Sequence, residues 1–168
     1  MGFFDSFKKK KDEKKREYKY IRMLNGTTPI FSSFGDDVYA SDVVQQAVNC
    51  IVGEMKKLQP KHIIRQGSQI RTPNNRVDIQ TVLENPNPIM TTADFLSRVV
   101  WQMYLTYNAF VYPMWEGGKL KALYPLNPHQ VSFYETPDGT IWVEFQFANG
   151  EKSPKFEYEK IIHIQIGR

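Results

Sequence analysis

The sequence predicts an α+β domain, and three observations carry that prediction. Apolar residues recur at helical spacing in the first two thirds of the chain. From Asn108 onward the period changes to two, and glycine- and proline-bearing turns separate the apolar runs. The helical segments come first and the strands follow as antiparallel hairpins, an order that favours α+β over a doubly wound parallel sheet. No stretch repeats another at a fixed period, which argues against a solenoid or propeller. A chain of 168 residues buries about two thirds of its unfolded surface without disulfide or metal staples.

Residues 1–39 read as a basic, turn-rich arm, with charge dominating Lys8 to Arg16 and the turn formers NGTTPIFSSF filling Asn25 to Phe34. Residues 40–168 read as the folded body. Ser41 stands as the N-cap of a first helix, in which Val44, Ala47, Val48, Ile51, Val52 and Met55 form an apolar stripe that Pro60 ends. KHIIR, Lys61 to Arg65, reads as a strand, and QGSQIRTPNNR after it as a loop. Asp78 caps a short helix through Glu84, which the Asn85-Pro86-Asn87-Pro88 punctuation terminates. Thr91 to Asp94 has capping-box character and opens a long amphipathic helix with Phe95, Leu96, Val99, Val100, Met103 and Tyr107 on its apolar face.

Three hairpins are expected beyond it. NAFVYPMW and LKALYPL flank Gly117-Gly118, QVSFYE and TIWVEFQF flank Pro137-Asp138-Gly139, and SPKFEY and KIIHIQI form a last pair. The aromatic residues Tyr112, Trp115, Tyr124, Phe133, Tyr134, Trp142, Phe145 and Phe147 read as core and cross-strand packing.

Charge is unevenly placed. The first 22 residues carry nine Lys/Arg against four Asp/Glu, while the remainder of the +4 chain is slightly acidic. A basic lead before a near-neutral body is the mark of a solvated arm rather than of a folded nucleic-acid face. Gly2 and Ser6 fit a myristoylation pattern, but the pattern is short, and the arm reads as a weak electrostatic contact through Lys8, Lys9, Lys10 and Lys11. No apolar run approaches the ~20 residues that span a bilayer.

Catalytic chemistry finds no constellation. The lone Cys50 excludes an internal disulfide and reads as a small packing residue. His62, His129 and His163 are too scattered in sequence to suggest a metal site, and His163, inside IIHIQI, reads as a hydrogen-bonded structural histidine. Gly117-Gly118 lacks the setting of a phosphate loop, and Asp36-Asp37 reads as solvated. The expectation is a protein without cofactor, metal or catalytic residues.

The ordered combination of DVVQQAVNCIVGEMKKL, VLENPNPIMTTADFLSRVVWQMYLTYNAFVY, LKALYPLNPHQVSFYE and KIIHIQ resembles the amino-terminal part of the portal protein of tailed bacteriophages, of the long-tailed siphophage type. The residues that carry it are Asn85, Pro86, Asn87, Phe95, Asn108, Ala109, Leu123, Pro125, Leu126, Pro128, Val131 and His163. Leu123, Leu126 and Val131 are expected to pack one face of a sheet against Phe95, Val99 and Met103. The family commonly has glycine where this chain has Tyr107, and Asn108 is expected to supply the left-handed helix end in its stead.

The resemblance implies a wing-like α+β domain of a ring-forming, usually dodecameric, structural protein at one capsid vertex. Its implied partners are other portal subunits, the major capsid protein or scaffold, terminase and head-completion proteins, with double-stranded DNA passing through the ring and no membrane. The implied location is the virion, and the host cytoplasm during assembly. The stem, clip, tunnel loops and crown of the family have no counterpart in these 168 residues, so a monomer or small oligomer is the expectation. The alternative is an accessory module held on a membrane or nucleic acid by its basic arm.

Overall fold

A computed structural model describes the backbone of residues 19–21 and residues 41–73 and 78–166. The predicted arm, including Lys8 to Lys11 and Asp36-Asp37, lies almost wholly outside the described residues, as does the side chain of Asp78. The element order is β1 (Lys19–Ile21), α1 (Asp42–Met55), β2 (Ile64–Gln66), β3 (Gln69–Arg71), α2 (Asp78–Glu84), α3 (Thr92–Thr106), β4 (Asn108–Glu116), β5 (Lys119–Leu126), β6 (Gln130–Glu135), β7 (Ile141–Gln146), β8 (Phe156–Glu157), a 3-10 turn (Tyr158–Lys160) and β9 (Ile162–Gln165). The α+β prediction holds: the three helices precede the run of strands β4 to β9, and every described strand ladder is antiparallel.

The chain divides into two compact units, residues 1–30 with 128–160 and residues 31–127 with 161–168. The second holds the helices and a three-stranded sheet in the order β5-β4-β9. Helix α3 is its centre. One side of α3 buries Val100 against Val48 and Val52 of α1, with Val44, Met55 and Trp101 around them. Its other side places Val99, Phe95 and Met103 on Ala109 and Val111 of β4, Leu123 of β5 and Val82 of α2. Each such side chain contributes roughly 1.5–3 kcal/mol by leaving water.

The helix starts differ in quality. At α3 the Thr91 hydroxyl accepts from the Asp94 backbone N–H, and the Asp94 carboxylate accepts from the Thr91 backbone N–H, a complete capping box. The Thr91 hydroxyl, which donates to the Asp94 carboxylate at 2.7 Å, and then the Thr91 N–H hold that carboxyl below its ordinary pKa. Ser41 stands at the N-cap of α1, yet its side chain makes no capping bond.

The first unit is a four-stranded antiparallel sheet in the order β1-β6-β7-β8. Val131 and Phe133 of β6 lie opposite Phe145 and Val143 of β7, and all four are buried. Phe156 and Tyr158 pack their rings on Phe145 and Phe133. Trp142, on the opposite face of β7, is also buried, and its indole N–H donates to the Thr136 hydroxyl at 3.3 Å.

Several sequence expectations need correction. The loop QGSQIRTPNNR contains β3, which pairs with β2 around a two-residue turn at Gly67-Ser68. Gly67 has φ +61°, the positive value that the first position of such a turn requires. The last expected hairpin does not form: Phe156–Glu157 joins β7, whereas Ile162–Gln165 joins β4 in the other sheet. Leu123 and Leu126 lie in one sheet and Val131 in the other, so the single packed face expected of them is divided. Cys50 is exposed rather than packed, Trp115 is 59% exposed, and the apolar stripe of α1 is only half covered, with Ala47 and Ile51 left in solvent.

Candidate functional site

Two buried asparagines organise the residues that the sequence singled out. Asn87 is 6% exposed at the corner between α2 and α3. Its Nδ2 donates to the Leu123 carbonyl at 2.8 Å, and its Oδ1 accepts from the Ile89 backbone N–H at 3.1 Å. The Leu123 N–H in turn donates to the carbonyl of Pro86, itself fully buried, at 2.7 Å. Proline at 86 and 88 holds the corner extended, so the Asn87 amide meets the backbone of β5 as a third strand would. Thr92 closes the corner by donating its hydroxyl to the carbonyls of Leu83 and Glu84, the last of α2.

Asn108 opens β4 where α3 ends. Its Oδ1 lies 2.9 Å from His163 Nε2 and accepts from Gln165 Nε2 at 3.3 Å, while its Nδ2 donates to the Thr106 carbonyl at 2.8 Å. An amide oxygen only accepts, so the neutral His163 ring carries its proton on Nε2. The ring stacks on Phe110 with centroids 4.1 Å apart, and burial pushes its pKa down to about 4. At neutral pH it is an uncharged cross-strand tie between β9 and β4, in the register that pairs Phe110 with His163.

The left-handed helix end falls on Tyr107 itself, at φ 59° and ψ 8°, and not on Asn108. The helix must turn one residue earlier than expected, because the Asn108 side chain is already engaged in the sheet. The Tyr107 carbonyl still accepts from the Ile166 N–H at 3.1 Å, which extends the β4–β9 ladder by one residue.

The other singled-out residues take supporting places. Ala109 is fully buried and pairs with Ile164, Pro125 pairs with Val111, and Leu126 with Phe110. Phe95 flanks the core of the helical unit. Asn85 donates its N–H to the Thr81 carbonyl and ends α2. Pro128 and Val131 belong to the four-stranded unit, where the His129 N–H donates to the Gln146 carbonyl at 2.7 Å. Thr92, Thr106 and Gln165 escaped the sequence reading. Thr and Gln serve so many surface roles that only the fold shows them capping a helix or completing a buried amide's bonds.

Among the described residues no group of three or more His, Cys, Asp or Glu side chains is placed to hold a metal ion. No described helix is long and apolar enough to cross a membrane. The described surface instead exposes apolar side chains in groups, notably Ile63, Ile64 and Ile70 around the β2–β3 hairpin. The motif residues at the corner and at the start of β4 are thus engaged in bonds within one unit of the fold.

Solved structures place that fold. The chain is similar to a chain in the neck of an empty gene transfer agent particle computed with C6 symmetry, at TM-score 0.66 and 18% identity, covering 89% of this chain and 40% of that one. It is similar to chains in the virion of the native particle, at TM-score 0.62, 18% identity and 83% and 36% coverage, and in the native neck computed with C12 symmetry, at 0.61, 17%, 83% and 36%. It therefore spans about two fifths of the length of the chains it matches. No curated protein sequence matches the chain. The family model described as phage portal protein matches residues 42–168, and the chain belongs to the phage portal protein family.

Proposed function

We propose that this chain forms the wing-like portion of a portal subunit, a structural component of a ring at the capsid vertex that supports DNA packaging and ejection and head–tail joining. The single observation that carries the reading is the family match across residues 42–168, which takes in every described element except β1. Its partners are other copies of the subunit and the major capsid protein or scaffold. Terminase and head-completion proteins meet portions of the subunit other than this one, and double-stranded DNA passes through the ring. The particle is its site of action, after assembly in the host cytoplasm. The domain has no enzymatic role: Asn85, Pro86, Asn87, Asn108 and His163 fix corners and strand register, and residues 1–39 form a basic lead, of which Lys19–Ile21 joins the four-stranded sheet of the wing-like body at 40–168.

An epitope tag on this chain, located on particles by electron microscopy, tests the reading. A single labelled vertex per particle is the expected result. Label spread over the whole shell, or absent from particles, overturns it.

A further inference from the structure

The cations of the folded body are not evenly spread. Residues 56–72 carry five, Lys56, Lys57, Lys61, Arg65 and Arg71, and no carboxylate. The two arginines stand on the β2–β3 hairpin. The three lysines lie at its root and line one open cleft, where Lys57 pairs with Glu54 at 2.6 Å and Glu84 accepts from Gln80. Residues 63–72 are all exposed, and among the described residues neither strand of the hairpin has a second neighbour. The register sets Ile64 opposite Arg71 and Arg65 opposite Ile70, so each face of the ribbon presents one isoleucine and one arginine. Gln66 and Gln69 pair beside the turn, and Arg65 Nε donates to the Gly67 carbonyl at 3.2 Å, which holds that guanidinium along the ribbon toward its tip.

A flat partner surface would cover one face of such a ribbon and leave an arginine and an isoleucine unmatched on the other. The groove of a DNA duplex has the complementary form. Phosphates line both rims, two-stranded ribbons enter it, and arginine and glutamine reach base edges while isoleucine packs on sugars or wedges at a base step. A duplex also carries one negative charge per about 1.7 Å of axis, so it can meet the ribbon and the lysines at its root together. We infer that the β2–β3 hairpin is a β-ribbon arm that enters a groove of duplex DNA, with Arg65 and Arg71 on phosphates and base edges, Ile64 and Ile70 against sugars and bases, and Lys56 and Lys61 on flanking phosphates. This goes beyond the portal reading, which passes DNA through the ring and assigns no contact with it to this portion.

Fluorescence anisotropy of a labelled DNA duplex titrated with the full chain, at low and at physiological salt, tests it. The basic lead binds DNA by charge alone, so every protein in the series also carries Lys8→Gln, Lys9→Gln, Lys10→Gln and Lys11→Gln. The chain with this neutralised lead is expected to bind the duplex, more weakly as salt rises, and to bind labelled poly-glutamate less tightly. Arg65→Gln/Arg71→Gln is expected to weaken duplex binding by about tenfold or more and to flatten the slope of log affinity against log salt by about two. Ile64→Ser/Ile70→Ser is expected to weaken it by about threefold or more with that slope unchanged. Lys56→Gln/Lys61→Gln leaves the hairpin strands intact and is expected to lower affinity and slope together, which decides the matter if circular dichroism shows that a hairpin variant has lost its fold.

A chain with the neutralised lead that binds no duplex overturns the inference, as does binding that the arginine and lysine variants leave unchanged. Loss with the arginine variant and none with the isoleucine variant makes the hairpin a plain cationic patch and overturns entry into a groove. Poly-glutamate bound as tightly as the duplex, with the same dependence on Arg65 and Arg71, overturns DNA in favour of an acidic protein. None of these results moves the labelled vertex on particles, which tests the portal reading by itself.

Discussion

Two regions of this molecule break the inside–outside rule in opposite senses. At Asn87 and Asn108 a polar amide is buried, at 6% and 9% exposure, and its bonds are supplied by neighbouring backbone and side chains of the same unit. At the β2–β3 hairpin isoleucines face water and, among the described residues, the strand edges meet no third strand. Burying an amide is costly unless it is bonded, so the first arrangement makes sense only if those side chains hold the fold together. Exposing isoleucine forfeits burial that the fold has not used, so the second makes sense only if the cover comes from elsewhere. The internal ties and the exposed hairpin thus lie on different residues.

The sharpest way to break that comparison is at Asn87. Asn87→Ala leaves the Leu123 carbonyl without its side-chain donor and the Ile89 N–H without its acceptor, and is expected to lower stability by ~2–3 kcal/mol, read from denaturant unfolding. A loss below ~0.5 kcal/mol would show that the corner is held by its prolines alone.

Acid is the next largest lever. The folded pKa of His163, about 4, lies below the ordinary value of 6.5, so between those values the unfolded chain binds the extra proton. The contribution is complete above pH 6.5, falls as pH drops toward 4 and is flat below. Discounted for the part of the ring that solvent reaches, the loss is about 2 kcal/mol. His163→Gln is expected to remove that segment of the stability–pH profile, and an unchanged profile would place the titration elsewhere.

Tyr107→Gly acts in the other direction. It relieves a left-handed residue at the end of α3, and because the Tyr107 ring is 66% exposed little packing is lost. A gain of ~0.5–1 kcal/mol is expected in thermal unfolding. Ile64→Ser/Ile70→Ser should change the unfolding free energy of the dilute chain least, by under ~0.5 kcal/mol.

Much of this was legible in the sequence where local chemistry decides. The Thr91–Asp94 box, the proline-punctuated corner and the turns at Gly117-Gly118 and Pro137-Asp138-Gly139 are written in residues whose backbone preferences are strong, and they fold as read. What was illegible depends on partners distant in the chain. KIIHIQI pairs with a strand more than fifty residues earlier, and no local pattern states that choice. The apolar stripe of α1 shows which residues want cover, and only the fold shows that Ala47 and Ile51 receive none from it. Asn108 was recognised, but its role was misplaced, since a left-handed turn and a buried amide both suit asparagine and the three-dimensional neighbours His163 and Gln165 decide between them.

The separation of internal ties from the exposed hairpin is tested most directly by thermal unfolding followed against DNA duplex concentration, because a ligand of the folded state raises the midpoint by mass action. The unaltered chain should melt higher as duplex is added. Asn87→Ala should lower the whole curve and keep its slope, while Arg65→Gln/Arg71→Gln should start from the same duplex-free midpoint and lose the slope. A hairpin variant that melts lower without duplex, or one that keeps the full dependence on it, would contradict the account.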